Sequence, residues 1–245
     1  MPRMASTGAP TDPTVELILV RHGESEGNVA REQAEASGAE TIDVTWRDAD
    51  VPLSARGRQQ AAAVAGWLGT GSVDSAWSSP YLRARDTAQL ALGRDCAVIA
   101  RLDERLRDRE LGILDGLTSN GVNARYRAEA DRRRWLGKFY YRPPGGESWA
   151  DVALRLRCWL AELPPDAGRT LVVTHDAVIL LLRYICEQLT EVQILEIAAT
   201  TSVANASITQ LARTGNRWQL VGFDQQEHLG ALVTEHPAER DVFPR

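Results

Sequence analysis

The chain predicts an α/β fold, a three-layer sandwich around a mostly parallel sheet with one antiparallel edge strand. Strand-like and helix-like segments alternate along its length. Short apolar, β-branched runs at 15–20 and 171–174 stop at polar residues, as buried strands do. Residues 206–213 and 217–223 alternate around Thr214-Gly215-Asn216, a hairpin signal that supplies antiparallel pairing.

Taken in order, residues 1–14 are rich in Pro, Thr, Ser and Ala and read as a frayed tail. The first strand follows, then a polar stretch at 29–52. Ser54 is placed to cap a helix running to about Leu68, which Gly69 and Gly71 stop. Residues 73–77 read as a strand. Ser78-Ser79-Pro80 opens a helix to about Leu92, with Pro near its first turn. A short strand falls at 97–101, and 102–112 alternates in charge like a loop or short helix at the sheet edge. An Arg-rich helical pattern covers 122–136 until Arg142-Pro143-Pro144-Gly145-Gly146 breaks it. The next helix, 149–163, carries Val152, Leu156, Trp159, Leu160 and Leu163 at helical spacing and ends at Pro164-Pro165. After the strand at 171–174 comes a helix at about 177–189. The polar tail beyond Gly230 reads as loose. With no internal repeat and no interdomain linker, one domain spans 15–230, and the inserted segment 113–146 could cap a site.

The 245 residues are 44% hydrophobic and 25% charged, enough for a substantial core. A net charge of -5 argues against a nucleic-acid partner. Cys96, Cys158 and Cys186 are scattered and odd in number, which fits core thiols in a reducing compartment. The first apolar run is short and contains Glu16, so neither a signal peptide nor a membrane span is expected. A cytoplasmic location follows. Lys138 is the only lysine, so no single arginine carries weight apart from its position.

Position singles out a few residues. Arg21-His22-Gly23-Glu24-Ser25-Glu26-Gly27-Asn28 lies directly after the first strand, at the rim where open α/β sheets bind ligands. Of four histidines, His22 and His175 each follow a predicted buried strand. A lone histidine there is usually structural, but two in equivalent places share one rim. Arg83 follows a third rim position, within Ser79-Pro80-Tyr81-Leu82-Arg83-Ala84-Arg85-Asp86-Thr87-Ala88.

These blocks, with 102–118 and 171–176, resemble the histidine phosphatase superfamily, whose fold is phosphoglycerate mutase-like. The resemblance spans 15 to about 230. It implies a pocket of Arg21, His22, Arg83 and His175, with Asn28 at a phosphate-contacting position. Two guanidiniums would bind phosphoryl oxygens through bidentate charged hydrogen bonds, and His175, if protonated, would add a donor. His22 would be the nucleophile, its ring neutral and one nitrogen's proton held by an acceptor. Water would then resolve the phosphohistidine. The arginines supply the charge that a metal supplies elsewhere. No metal-ligand spacing supports a site built from His22, His175 and Asp176, so neither metal nor cofactor is expected.

A carboxylic acid must protonate the leaving oxygen. In one branch of the superfamily a Glu stands four residues before a Gly, and here Asp108 holds that place before Gly112. Glu104 is next in order, and Asp176, straight after the second histidine, is third. Gly112-Ile113-Leu114-Asp115-Gly116-Leu117 also resembles phosphoglycerate mutases, but Ser119 stands where those place a lysine. The reading is a phosphatase acting on a small phosphorylated substrate. Mutase-type phosphotransfer and a non-catalytic phospholigand-binding regulatory module are the alternatives. Assembly as a homo-oligomer is left open.

Overall fold

The computed structural model describes residues 15–69, 73–94 and 96–234. The expected frayed tail at 1–14, Gly71, and residues 235–245 of the expected loose tail lie outside the described residues. One sheet has six strands in the order β3-β2-β4-β1-β5-β6. They are β1 (Val15–Arg21), β2 (Ser75–Ser78), β3 (Arg101–Leu102), β4 (Arg169–Thr174), β5 (Ile208–Thr214) and β6 (Arg217–Gln225). The first four run parallel, and β5 runs against both β1 and β6. The reversed strand therefore sits one place in from the edge, with its hairpin mate β6 outside it.

Alternate residues of the two central strands feed two cores. Leu17, Leu19 and Val172 pack against α6 (Trp149–Ala161), α7 (Asp176–Cys186) and α8 (Glu191–Thr200). Ile18, Val20, Leu171 and Val173 pack against α2 (Ala55–Leu68) and α3 (Leu82–Leu92). All seven are 0% exposed, which is why both strands read as unbroken apolar runs. Each such side chain stabilises the fold by ~2 kcal/mol. The result is the three-layer arrangement.

Several elements differ from the sequence reading. The stretch expected to be irregular after Asn28 contains α1 (Glu26–Ser37), closed by a Ser25/Asn28 capping box at one end and Gly38 at φ 71° at the other. Its only buried residue is Ala34, so no apolar stripe announces it. The pattern at 122–136 splits at Tyr126 into α4 (Ser119–Arg125) and α5 (Arg127–Leu136). The strand expected at 97–101 reduces to β3, while α8, capped by Thr190 and Gln193, was not anticipated. Residues 231–234 are not loose: Gln60 Nε2 donates to Leu232 O (2.8 Å) and Thr234 Oγ1 (3.0 Å). Of the thiols expected in the core, Cys186 is buried but Cys158 is exposed on α6. Among the described residues no helix is long and apolar enough to cross a membrane.

Candidate active site

Strand register builds the site. Arg21 lies opposite Thr174, and Ser78 opposite Val173. The ladder continues one step past the strand ends: His22 N donates to Thr174 O, and Ser79 N to Val173 O, both at 2.9 Å. Asp103 N likewise donates to Ser78 O at 3.0 Å. His22, His175 and Ser79 are thereby delivered side by side at the carboxyl rim. His175 also occupies the N-cap position of α7, with no capping bond from its ring.

The turn after His22 is packed backbone to backbone. A Cβ on Gly23 would overlap Gly57 O, and one on Gly57 would overlap Glu24 O. Glycine at both positions lets the start of α2 press on the turn. Thr87 explains its place in the arginine motif: its Oγ1 accepts from Gly23 N (3.0 Å) and donates to Arg83 O (2.7 Å).

His22 is 3% exposed. Its Nδ1 lies 2.7 Å from Gly23 O, an oxygen that can only accept. Nδ1 therefore holds the proton and Nε2 keeps the lone pair. Burial, reinforced by Arg83, holds the imidazole well below its ordinary pKa, so the ring is neutral. Arg83 Nε donates to that Nε2 at 3.3 Å.

Arg83, almost fully buried, is the hub. Its NH2 reaches Asp108 Oδ2 (3.3 Å) and Asp48 Oδ2 (3.3 Å), and its NH1 reaches Asp48 Oδ1 (3.0 Å). The guanidinium lies 5.0 Å from the Tyr81 ring. His175 Nε2 is 2.8 Å from Ser79 Oγ. Its Nδ1 faces Asp108 Oδ2 at 3.3 Å without hydrogen-bond geometry. Burial lowers the His175 pKa while Asp108 acts to raise it, so the neutral ring is favoured. Burial would raise the Asp108 carboxyl, but the His175 ring first and the Arg83 guanidinium next hold it well below the usual carboxylate range.

Ion pairs hold the Asp108 loop in place. Arg155 NH2 donates to Asp108 O (3.0 Å), and Thr174 Oγ1 donates to Leu106 O (2.7 Å). Glu147 takes Arg107 (2.7 Å) and Arg155 (3.0 Å). Gly112 turns at φ 55°, where a Cβ would overlap Pro144 O. Glu104 is exposed, and its carboxylate makes no bond to the cluster. Asp176 lies close enough to Arg21 to support its charge against burial. Arg21 NH1 donates to Val203 O at 2.5 Å, while its buried Nε has no hydrogen-bond partner. Asn28 Oδ1 is engaged by Ser25 N (3.0 Å), Ser25 Oγ and Asn205 Nδ2, so that oxygen serves the α1 cap.

The structure thus gathers Arg21, His22, Arg83, His175 and Asp108, and leaves Glu104 apart. Sequence reasoning missed Ser79 as a partner of His175, Asp48 as a partner of Arg83, and Asn205, whose Nδ2 donates to His22 O (3.0 Å). Ser79 lay within the arginine motif and could have been singled out there. Asp48 and Asn205 carried no local signal. Among the described residues no group of three or more His, Cys, Asp or Glu is arranged to hold a metal ion. A neutral ring with a free lone pair beside guanidinium donors can attack phosphorus and stabilise the charge that develops.

Known proteins resemble this chain in sequence and fold. The family described as the histidine phosphatase superfamily (branch 1) matches residues 17–226. A 2,3-bisphosphoglycerate-dependent phosphoglycerate mutase of Methylobacterium radiotolerans is 35% identical over 212 residues, covering 81% of this chain and 93% of that protein. A glucosyl-3-phosphoglycerate phosphatase of Mycobacterium tuberculosis is 33% identical, covering 80% of this chain and 84% of that protein. The native structure of a mycobacterial glucosyl-3-phosphoglycerate phosphatase superposes with a TM-score of 0.67 at 30% identity, over 86% of this chain and 99% of that one.

Proposed function

Because the chain belongs to the histidine phosphatase superfamily, we propose that it hydrolyses phosphomonoesters through a phosphohistidine on His22, without a metal ion. The observation that carries this reading is the His22 ring: Nδ1 held by Gly23 O, and Nε2 unprotonated and accepting from Arg83 Nε, a donor that a bound phosphoryl group would take over. Nε2 forms the bond to phosphorus as the ester P–O bond breaks. Asp108 gives its proton to the leaving oxygen and then takes one from the water that cleaves the N–P bond. Asp108 is ionised while Arg83 pairs with it. A phosphate bound to Arg83 adds negative charge beside the carboxyl, which raises its pKa and favours the form that carries the proton. The arginines stabilise the phosphoryl oxygens, so no divalent ion is needed. The segment 113–146, joined to residues 38–42 through the Thr41–Leu117 bridge, is the part proposed to cap the substrate.

Hydrolysis of glycerol phosphate and of an aryl phosphate tests this reading. Turnover should persist in EDTA. Activity that vanishes with EDTA and returns with a divalent ion would overturn the metal-free mechanism. The relative from Methylobacterium radiotolerans favours a second reading, mutase-type transfer. Ser119 argues against it, since its backbone N–H faces the Glu35 carboxylate (3.4 Å) where a mutase-like chain would present a lysine. With 3-phosphoglycerate, hydrolysis should exceed interconversion, and the opposite ratio would promote the mutase.

A further inference from the structure

Asp48 has no place in the mechanism above, yet it makes the closest carboxylate contact to the pocket's central cation. Its Oδ1 lies 3.0 Å from Arg83 NH1 and its Oδ2 3.3 Å from NH2, and its backbone oxygen accepts from NH1 at 2.5 Å. The Arg83 side chain is 5% exposed and that of Asp48 44%, so the pair spans the boundary between pocket and solvent. A planar guanidinium has a fixed set of donors, and a phosphoryl group needs those same donors. Phosphate and Asp48 therefore compete for Arg83.

The surroundings of Asp48 are acidic. Asp115 feels its charge strongly enough that its own pKa rises, through burial first and Asp48 next, with Glu110 adding to the effect. Glu110 accepts from Tyr81 OH (2.8 Å), whose ring flanks both Arg83 and His175. Arg31 attracts Asp115 and offsets part of this charge. The deep donors behave differently. Arg21 Nε and His175 Nδ1 are buried without hydrogen-bond partners, whereas Asp48, Glu110 and Asp115 are exposed. A phosphoryl group is thus welcomed at the bottom, while a second anion on the same substrate would meet Asp48, Glu110 and Asp115 at the mouth.

We propose that Asp48 sets the substrate class: it stands in for phosphate on Arg83 and keeps a negative charge at the mouth, which selects phosphomonoesters of uncharged alcohols over those carrying a second anionic group. This rests on the phosphomonoester reading of the same site and adds discrimination by charge to it.

Calorimetric binding of glycerol 3-phosphate and 3-phosphoglycerate tests it, because the two are close in size and differ by a carboxylate. The natural chain should bind glycerol 3-phosphate more tightly. Asp48→Asn should tighten both and tighten 3-phosphoglycerate about fivefold more, the scale of a partly screened charge pair. Asp115→Asn, which leaves Arg83 untouched, should shift the same preference in the same direction by less, and it keeps the test open if Asp48→Asn folds poorly. The proposal is overturned if the natural chain prefers 3-phosphoglycerate or binds neither ester. It is equally overturned if Asp48→Asn leaves both dissociation constants unchanged, weakens either, or tightens both alike. Since binding is read and not turnover, a chain that binds both esters and hydrolyses neither would sink the phosphatase reading alone.

Discussion

The strand-end cluster and the mouth above it are built by different means. His22, His175, Ser79 and Arg83 are each under 5% exposed and are placed by strand register and one helix turn. Asp48, Glu110 and Asp115 stand at least partly in solvent on irregular segments and are placed by side-chain contacts. Deep groups are neutral or cationic; those at the mouth are anionic. The difference teaches that one scaffold can keep its phosphate chemistry unchanged while its taste in substrates drifts, because the two depend on separate parts of the chain. Asp108 belongs to both, being loop-borne yet within 3.3 Å of Arg83 and of His175.

Mutations at the two levels should separate. The largest effect belongs to the deep level: His22→Ala should lower turnover by about 10⁴-fold or more with an unchanged circular dichroism spectrum, since no other group can form the intermediate. Acid-labile, base-stable phosphate trapped on His175 would show that the nucleophile has been misassigned. Next comes the residue shared by both levels. Asp108→Asn should cost about 10²–10⁴ in kcat for an alkyl phosphate and much less for an aryl phosphate with an acidic phenol. Glu104→Gln and Asp176→Asn, measured the same way, rank the three acids. Equal slowing of both substrates by Asp108→Asn would remove it from the role.

Smaller effects probe what holds the deep level in place. Gly57→Ala forces a methyl into Glu24 O and should destabilise the fold by ~2 kcal/mol, read as a lower urea midpoint. A midpoint equal to that of the natural chain would mean the turn after His22 yields freely. The mildest test is acid. His22 and His175 titrate below their ordinary values in the fold, while the unfolded chain titrates near 6.5. Below that pH the unfolded state binds more protons, so the stability these rings contribute is whole above about 6.5 and lost as pH falls through their folded values. Stability should drop between about pH 6.5 and 5.5, and by less in His22→Gln. A midpoint that rises on acidification over this range would contradict two buried neutral rings.

Legibility in the sequence follows the same division. Arg21, His22 and His175 were legible because each adjoins an apolar run, and Arg83 because a helix start fixes it just past a third strand. The sheet and its two covered faces were legible from continuous apolar strands such as Leu171-Val172-Val173. α1 was not, because it buries only Ala34. Tyr126 interrupts a helical pattern with a backbone conformation that Arg-rich flanks do not betray. Val203 serves Arg21 through its carbonyl, a group every residue has, so its type says nothing. Asp48 is one acid among 33, and only the folded path of residues 38–50 brings it to Arg83.

The central place of β1 has a consequence in time. Its hydrogen-bonding neighbours are β4, from Arg169, and β5, ending at Thr214, and the turn carrying His22 is held by Asn205. Residues through β5 must leave the ribosome before these partners exist. At ordinary rates of synthesis that is a delay of ~10–40 s between the emergence of His22 and the emergence of what orients it. Pairings so distant along the chain also slow the search for the native state once synthesis ends. A half-made chain therefore carries His22 and Arg83 without β4, His175, Asn205 or β5, and the strand-end cluster assembles only after those late segments have been made.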